Sequence, residues 1–371
     1  MKIMLIGPVY PFKGGIAHYT GLMYRALSER HEVYMMSYKM QYPKILFKKE
    51  QRDYENDAFK IQDTDYQIHT ANPFNWISTK SKIKKWNPDL VIIQWWHPYF
   101  APCYQSICSS LKKYPILFVC HNVFPHERFP MDRFLTKKTL SKGSFFTVQS
   151  KQDETDLLSI KPSANYKRTV LPTFNAFKVK DLTKQQGREL LSIAENEKVL
   201  LFFGFVREYK GLKHLLKAMP KVCEKYSDIK LLVVGDFGED KELYLSLIDE
   251  LNIKEKLEIY DGYIPDKEVE KFFAAADLVV LPYESATQSG IVQISYSFEK
   301  PVLATNVGGL PEVVINNKTG YVVEPQNPEE LANKIIEFFE ENKAEDFIDG
   351  IKAEADKYSW SRLVELIEDM I

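Results

Sequence analysis

Short apolar runs alternate with helical periodicity along the whole chain. In the first half, "KIMLIG" at 2–7, "DLVIIQWW" at 89–96, "PILFVCHN" at 115–122 and "SFFTVQS" at 144–150 read as strands. Helical patterns follow over Ile16–Leu27 and around Tyr104–Leu111. In the second half, "KVLLFFG", "IKLLVVGD", "KLEIYDG", "DLVVLPY" and "PVLATN" form the same kind of series. Each run is short and rich in Val, Ile, Leu and Phe, as a strand buried on both faces requires. Strands alternating with helices predict parallel α/β architecture. Two series of four to six strands, split near Leu171–Pro172, predict two doubly wound, Rossmann-like domains without a repeated sequence.

In such sheets ligands bind beyond the carboxyl ends of the strands, so the segments after each run hold the candidate chemistry. After "KVLLFF" comes "GFVREYKG", then a helical pattern. Arg207 and Lys210 can reach an anion held near that helix start, with Gly211 permitting close approach. A helix start contributes about half a positive charge, and an Arg fork beside a mobile Lys suits a diphosphate. Both side chains are expected to be exposed. After "LVVLPY", the stretch "ATQSGIVQIS" places Gly290 at another helix start. The backbone N–H groups of Ser289, Gly290 and Ile291 are then donors without helical partners, and the Ser289 hydroxyl is either a further donor or a cap.

The first half has a counterpart, "KGGIAHYT", where Gly14 and Gly15 lead into an amphipathic helix. It is not G-x-G-x-x-G, so a nicotinamide site is not expected. His121 ends the run "LFVCHN", placed to bond a sugar hydroxyl or a leaving-group oxygen; His126 lies close by. Glu284 and Glu312 are loop acids that could bind hydroxyls or move protons. Asp63 and Asp65 have the spacing of a divalent-metal motif but follow a polar stretch, so no metal is expected there.

Composition narrows the classes. A length of 371 residues predicts two domains. No apolar stretch approaches the ~20 residues of a membrane span. The chain enters a strand pattern at once, so it reads as lacking a signal peptide and as cytoplasmic. Cys103, Cys108, Cys120 and Cys223 form no C-x-x-C pair and read as reduced structural thiols. The net charge of −2 hides an asymmetry: residues 1–170 carry 25 Lys and Arg against 14 Asp and Glu, the remainder 24 against 37. A basic half and an acidic half suggest different partners. Lys39, Lys44, Lys48, Lys49 and Arg52, with Lys80, Lys82, Lys84 and Lys85, form two basic clusters suited to an anionic membrane surface.

Taken in order, "GPVYPFKGGIAHYT", "VCHNVFPHE", "FFGFVREYKGLKHLLKA", "LLVVGDFGED", "AAADLVVLPY", "QSGIVQISYSFEKPVLATNVGGLPEVV", "NKTGYVVEPQNPEELA" and "YSWSRLVELIE" resemble the retaining GT-B glycosyltransferases of glycosyltransferase family 4. The resemblance implies two Rossmann-like domains facing a central cleft. Residues 1–171 would bind the acceptor, 172–355 would bind a nucleotide-diphosphate sugar donor, and 356–371 would form a helix crossing back to the first domain. It implies that Gly14 and Gly15 lie near the donor phosphates and that His121 contacts the transferred sugar. Arg207 and Lys210 would neutralise the diphosphate together with Ser289, Gly290 and Ile291, while Gly235 and Gly262–Ile264 border the base. Many family members carry two glutamates around the second helix start. Ala286 and Ile294 occupy those places here, so Glu284 or Gln293 would substitute.

The implied activity is sugar transfer with retention, without a metal or further cofactor, to a glycan or lipid-linked acceptor in cell-surface polysaccharide or glycoconjugate synthesis. The protein would be cytoplasmic or peripheral at the inner face of the membrane, with no nucleic-acid partner. A nucleotide-sugar epimerase of the same fold and a non-catalytic two-lobed binder are the alternatives.

Overall fold

A computed structural model describes residues 1–47, 50–54, 60–125 and 128–371. The chain divides into two units, Met1–Val170 with Ser359–Ile371, and Leu171–Tyr358.

The first unit holds β1 (Lys2–Ile6), β2 (Glu32–Met40), β3 (Asp65–His69), β4 (Leu90–Trp95), β5 (Ile116–Cys120), β6 (Phe145–Val148) and β7 (Tyr166–Arg168). Its sheet is parallel throughout, in the order β3-β2-β1-β4-β5-β6-β7. The second unit holds β8 (Lys198–Phe203), β9 (Ile229–Gly235), β10 (Leu257–Asp261), β11 (Leu278–Leu281), β12 (Val302–Thr305) and β13 (Gly320–Val323). That sheet is also parallel, in the order β10-β9-β8-β11-β12-β13. Each order reverses direction once, between β1 and β4 and between β8 and β11. Those reversals are the topological switch points, where such sheets bind ligands.

Central strands are buried along their length: every residue of β4, β5 and β11 is inaccessible or nearly so. Helices cover both faces. Gly15–Ser28 buries Tyr19, Leu22, Met23, Ala26 and Leu27 at helical spacing. The last helix, Trp360–Glu368, packs on it within the first unit: the Tyr19 and Trp360 rings are 5.0 Å apart, and Glu368 pairs with Arg30 at 2.7 Å.

The first sheet has seven strands, more than the four to six expected. The unanticipated strands are β2, β3, β7 and β13. Three of these lie at sheet edges, where one neighbour is missing and a strand need not be uniformly apolar. In the second unit Asp277, just before β11, holds the buried Arg188 at 2.9 Å and accepts from the Val199 amide. This cluster lies at the amino ends of the strands, away from the switch-point loops, and braces the fold.

Candidate functional site

In the second unit, the loops after β8 and β11 face each other at the switch point. Beyond β8 the chain passes through Gly204, makes a short turn over Glu208–Lys210 and enters the helix Leu212–Lys225 at Gly211. Gly211 is left-handed, with φ 67, and a Cβ there would stand 1.8 Å from the Pro282 carbonyl oxygen. The Glu284 amide donates to the Tyr209 carbonyl at 2.7 Å. Backbone therefore packs on backbone, and only glycine fits at the contact.

This contact brings Lys210 towards the second helix start, while Arg207 turns to the segment after β9. Lys210 Nζ lies 3.8 Å from the centre of the Tyr283 ring, and the Tyr283 hydroxyl shares a 3.2 Å hydrogen bond with Ser289 Oγ. Thr305 Oγ1 donates to the Tyr283 carbonyl at 2.6 Å and fixes the loop from below. Arg207 Nη1 donates to the Val206 carbonyl at 2.8 Å and approaches that of Asp236 at 3.5 Å. Neither cation is fully exposed as expected; both are half-buried. Neither has a carboxylate partner among the described residues. The helix Gly290–Ser297 has no side-chain cap, because the Ser289 hydroxyl is turned to Tyr283. Two uncompensated cations and an uncapped helix start thus share one end of one sheet.

Gly204, Gly235 and Ile291 crowd the same tips. Gly235 has φ 146, and a Cβ there would lie 1.9 Å from the Gly204 carbonyl oxygen. A Cβ at Gly204 would stand 3.8 Å from Ile291 Cδ1. Gly262 ends β10 with φ 114 and nothing near its Cβ position, followed by exposed Tyr263 and half-buried Ile264.

Glu284 is committed elsewhere. One carboxylate oxygen receives Lys213 and His214, each at 2.9 Å, and the other receives Gln326 at 3.0 Å. Partial burial opposes its ionisation, but the bonds from Lys213, His214 and Gln326 outweigh it and hold the carboxyl at about 2. Gln293 is buried, and its Oε1 has no partner among the described residues.

In the first unit, Gly14 (φ 105) caps the helix Gly15–Ser28 without a side-chain bond, and open space faces both Gly14 and Gly15. Packing explains neither glycine, although the Gly14 conformation does require one. His121 follows β5. Its Nε2 lies 2.7 Å from Gln94 Oε1, and the Tyr19 ring stands edge-on at 4.7 Å. Burial pushes the imidazole down to about 3, so it is neutral at ordinary pH.

Tyr283, Gln94 and Tyr19 were not singled out from the sequence. Gln94 had a signal, being a polar residue inside the apolar run "VIIQWW". Tyr19 was legible only as an apolar position of the helix after Gly15, and Tyr283 had no signal beyond aromatic character. Asp65 is bound by Lys82 at 2.6 Å and by the Tyr34 hydroxyl at 2.9 Å. Glu312 lies in the short helix Leu310–Val313. Lys48, Lys49 and His126 lie outside the described residues.

Residues 183–353 match the family model described as glycosyl transferases group 1. Over 181 residues the chain is 29% identical to an uncharacterised glycosyltransferase of Methanocaldococcus jannaschii, covering 47% of this chain and 45% of that one. Over 193 residues it is 30% identical to the lipopolysaccharide 1,2-N-acetylglucosaminetransferase of Salmonella typhimurium, covering half of each. These matches span about half the length of the curated relatives. Among solved structures, Anabaena HepE in complex with UDP superposes with a TM-score of 0.75 at 18% identity over the whole of both chains. Sucrose-phosphate synthase of Thermosynechococcus elongatus does so at 0.73 and 17%, over all of this chain and 98% of that one. Most of the second unit is therefore similar to glycosyl transferases group 1, and the chain has the GT-B fold.

Proposed function

We propose that the protein is a retaining glycosyltransferase that moves a sugar from a nucleotide-diphosphate donor to a glycan or lipid-linked acceptor. One observation carries this reading: Lys210, on Tyr283, stands beside the uncapped helix start at Gly290, and Arg207 stands in the same strand-end loop, neither compensated by a carboxylate among the described residues. The leaving group is a diphosphate, so the main task is to stabilise growing negative charge. Two fixed cations and free amides perform it without reorganising. The charge is balanced by the protein, so the transfer needs no metal. Gly235 and the Gly262–Ile264 segment border the base, and Gln293 stands in for a missing family glutamate. Glu284, held by Lys213, His214 and Gln326, orders the loop.

The first unit takes the acceptor, with the Gly15 helix start and the neutral His121 nearest the transferred sugar. A displacement on the same face lets the departing phosphate accept the acceptor's proton and retains configuration. The relative from Salmonella typhimurium acts on lipopolysaccharide and Anabaena HepE binds UDP, which supports a nucleotide-sugar donor and a cell-surface glycan. The protein works in the cytoplasm or at the inner face of the membrane.

The test is calorimetric titration with nucleotide diphosphates and their sugars, followed by transfer of labelled sugar in excess chelator. Binding and transfer are expected, with retained anomeric configuration. Product formed from donor without acceptor would instead assign an epimerase, and binding without turnover a non-catalytic binder. Complete, reversible loss on chelation would overturn the metal-free step.

A further inference from the structure

We propose that Gln94 is a positioning residue that decides which face of hydrogen bonding His121 offers its ligand, and so selects a sugar bearing a hydroxyl at that point. Gln94 is fully buried on β4. The end of β1 makes room for it: a Cβ on Gly7 would lie 2.5 Å from Gln94 Cγ. The Gln94 amide nitrogen donates to Met23 Sδ at 3.3 Å. A thioether has lone pairs and no hydrogen to give, so the NH₂ end of the amide must face it. The carbonyl oxygen then faces His121 Nε2, which must carry the proton. In a neutral imidazole the other nitrogen, Nδ1, is left as a bare acceptor.

His121 keeps 8% of its surface exposed, and the ring's hydrogen bond among the described residues is the one from Nε2 to Gln94. Tyr19, edge-on to the ring, lies one helical turn after Gly15, so the imidazole stands beside the open helix start. A ligand group meeting Nδ1 must donate a hydrogen. A hydroxyl does; a carboxylate, an ether oxygen or a fluorine sets lone pair against lone pair. Sites built to bond a hydroxyl discriminate strongly against analogues that lack it. The sugar class rests on the glycosyltransferase reading; the tautomer does not.

Two measurements on the full chain test this. Nitrogen NMR of ¹⁵N-histidine-labelled protein is expected to show His121 protonated on Nε2 and bare on Nδ1, without titration between pH 5 and 8. An Nδ1-protonated ring would overturn the proposal and needs no variant. Binding of deoxy and fluoro analogues of the donor, scanned around the sugar ring, is expected to reveal one hydroxyl whose loss weakens binding about tenfold or more. In Gln94→Met that discrimination should collapse, whereas a folded variant that keeps it would overturn the role of Gln94.

Gln94→Glu should still accept from Nε2 but stabilise the imidazolium, bringing the His121 titration up towards neutrality and putting a proton on Nδ1 below it. Titratable groups on the surrounding elements include Tyr19, Cys120 and Asp153, and Asp153 is already held by Ser150 and the Val123 amide. A His121 that still does not titrate in Gln94→Glu would count against direct control. If no nucleotide sugar binds at all, the glycosyltransferase reading and the sugar selection fall together, and the NMR result alone decides the tautomer.

Discussion

Lys210 is aimed without a carboxylate. It rests on the face of Tyr283, which attracts a cation by about 0.5–2 kcal/mol while leaving its charge for an incoming anion. Arg207 is braced by carbonyl oxygens, which likewise do not neutralise it. Arg207→Ala and Lys210→Ala should each lower kcat/KM by ~10²-fold or more, with unchanged circular dichroism and little change in Tm. Wild-type kcat/KM in a folded double variant would remove the diphosphate reading. Glu284 makes a different prediction. Its folded carboxyl is held at about 2 against an ordinary 4.5, so the unfolded chain binds the proton more readily. The stabilisation is complete above about 4.5 and is lost as pH falls towards 2. Urea denaturation of Glu284→Gln should therefore show its largest deficit near neutrality, closing in acid. A deficit that widens in acid would contradict this assignment.

At the scale of elements, the glycines at the helix starts divide into two kinds. Gly211 is required by conformation and by contact with Pro282. Gly211→Ala should cost at least the ~1–2 kcal/mol of the left-handed backbone, measured as a fall in Tm. Gly15 lies in helical backbone facing open space. Gly15→Ala should leave Tm unchanged or raise it, since alanine favours a helix by up to about 1 kcal/mol. If the proposed donor site is right, donor affinity should nevertheless fall, because a methyl group would enter the space proposed for a phosphate. Loss of stability with unchanged binding would mark Gly15 as structural. Elements also show where reading the sequence stops. The central runs "DLVIIQWW" and "KVLLFFG" are legible because burial on both faces demands unbroken apolar residues. β3, with Asp65 and Gln67 on an edge, carries no such demand and is seen only once β2 is beside it.

For the whole molecule, the charge asymmetry becomes a surface in the first unit. Ile45 and Phe74 are 85% and 84% exposed, and Leu46, Phe47 and Ile77 are exposed with them. They follow the carboxyl ends of β2 and β3, where Thr70 Oγ1 donates to the Gln41 carbonyl at 2.7 Å and ties the two segments. Lys44 is exposed next to Ile45, Lys84 and Lys85 are exposed in the last turn of the helix Pro73–Trp86 that carries Phe74 and Ile77, and Lys82 is held by Asp65. Each basic residue near an anionic bilayer is worth ~1 kcal/mol, and exposed apolar side chains add burial in the interface. The protein should sediment with anionic vesicles, less as salt rises, and not with neutral ones. Lys44→Glu with Lys84→Glu and Lys85→Glu should release it without changing donor binding. Indifference to vesicle charge would favour a soluble, acidic acceptor.

By itself the sequence determined the alternation of strands and helices, the division near Leu171, and the glycines and cations at the strand ends. These are local consequences of burial and backbone freedom, and residues near in sequence reveal them. Tertiary structure alone decided what those residues touch. Tyr283 links Lys210, in the loop after β8, to Ser289 in its own loop after the adjacent β11, Gln94 reaches His121 from a neighbouring strand, and Lys213, His214 and Gln326 claim Glu284. Apart from Tyr283 and Ser289, these partners are remote along the chain. Hydrogen bonds and charge pairs act only over a few ångströms, so nothing but the closing of each sheet specifies them.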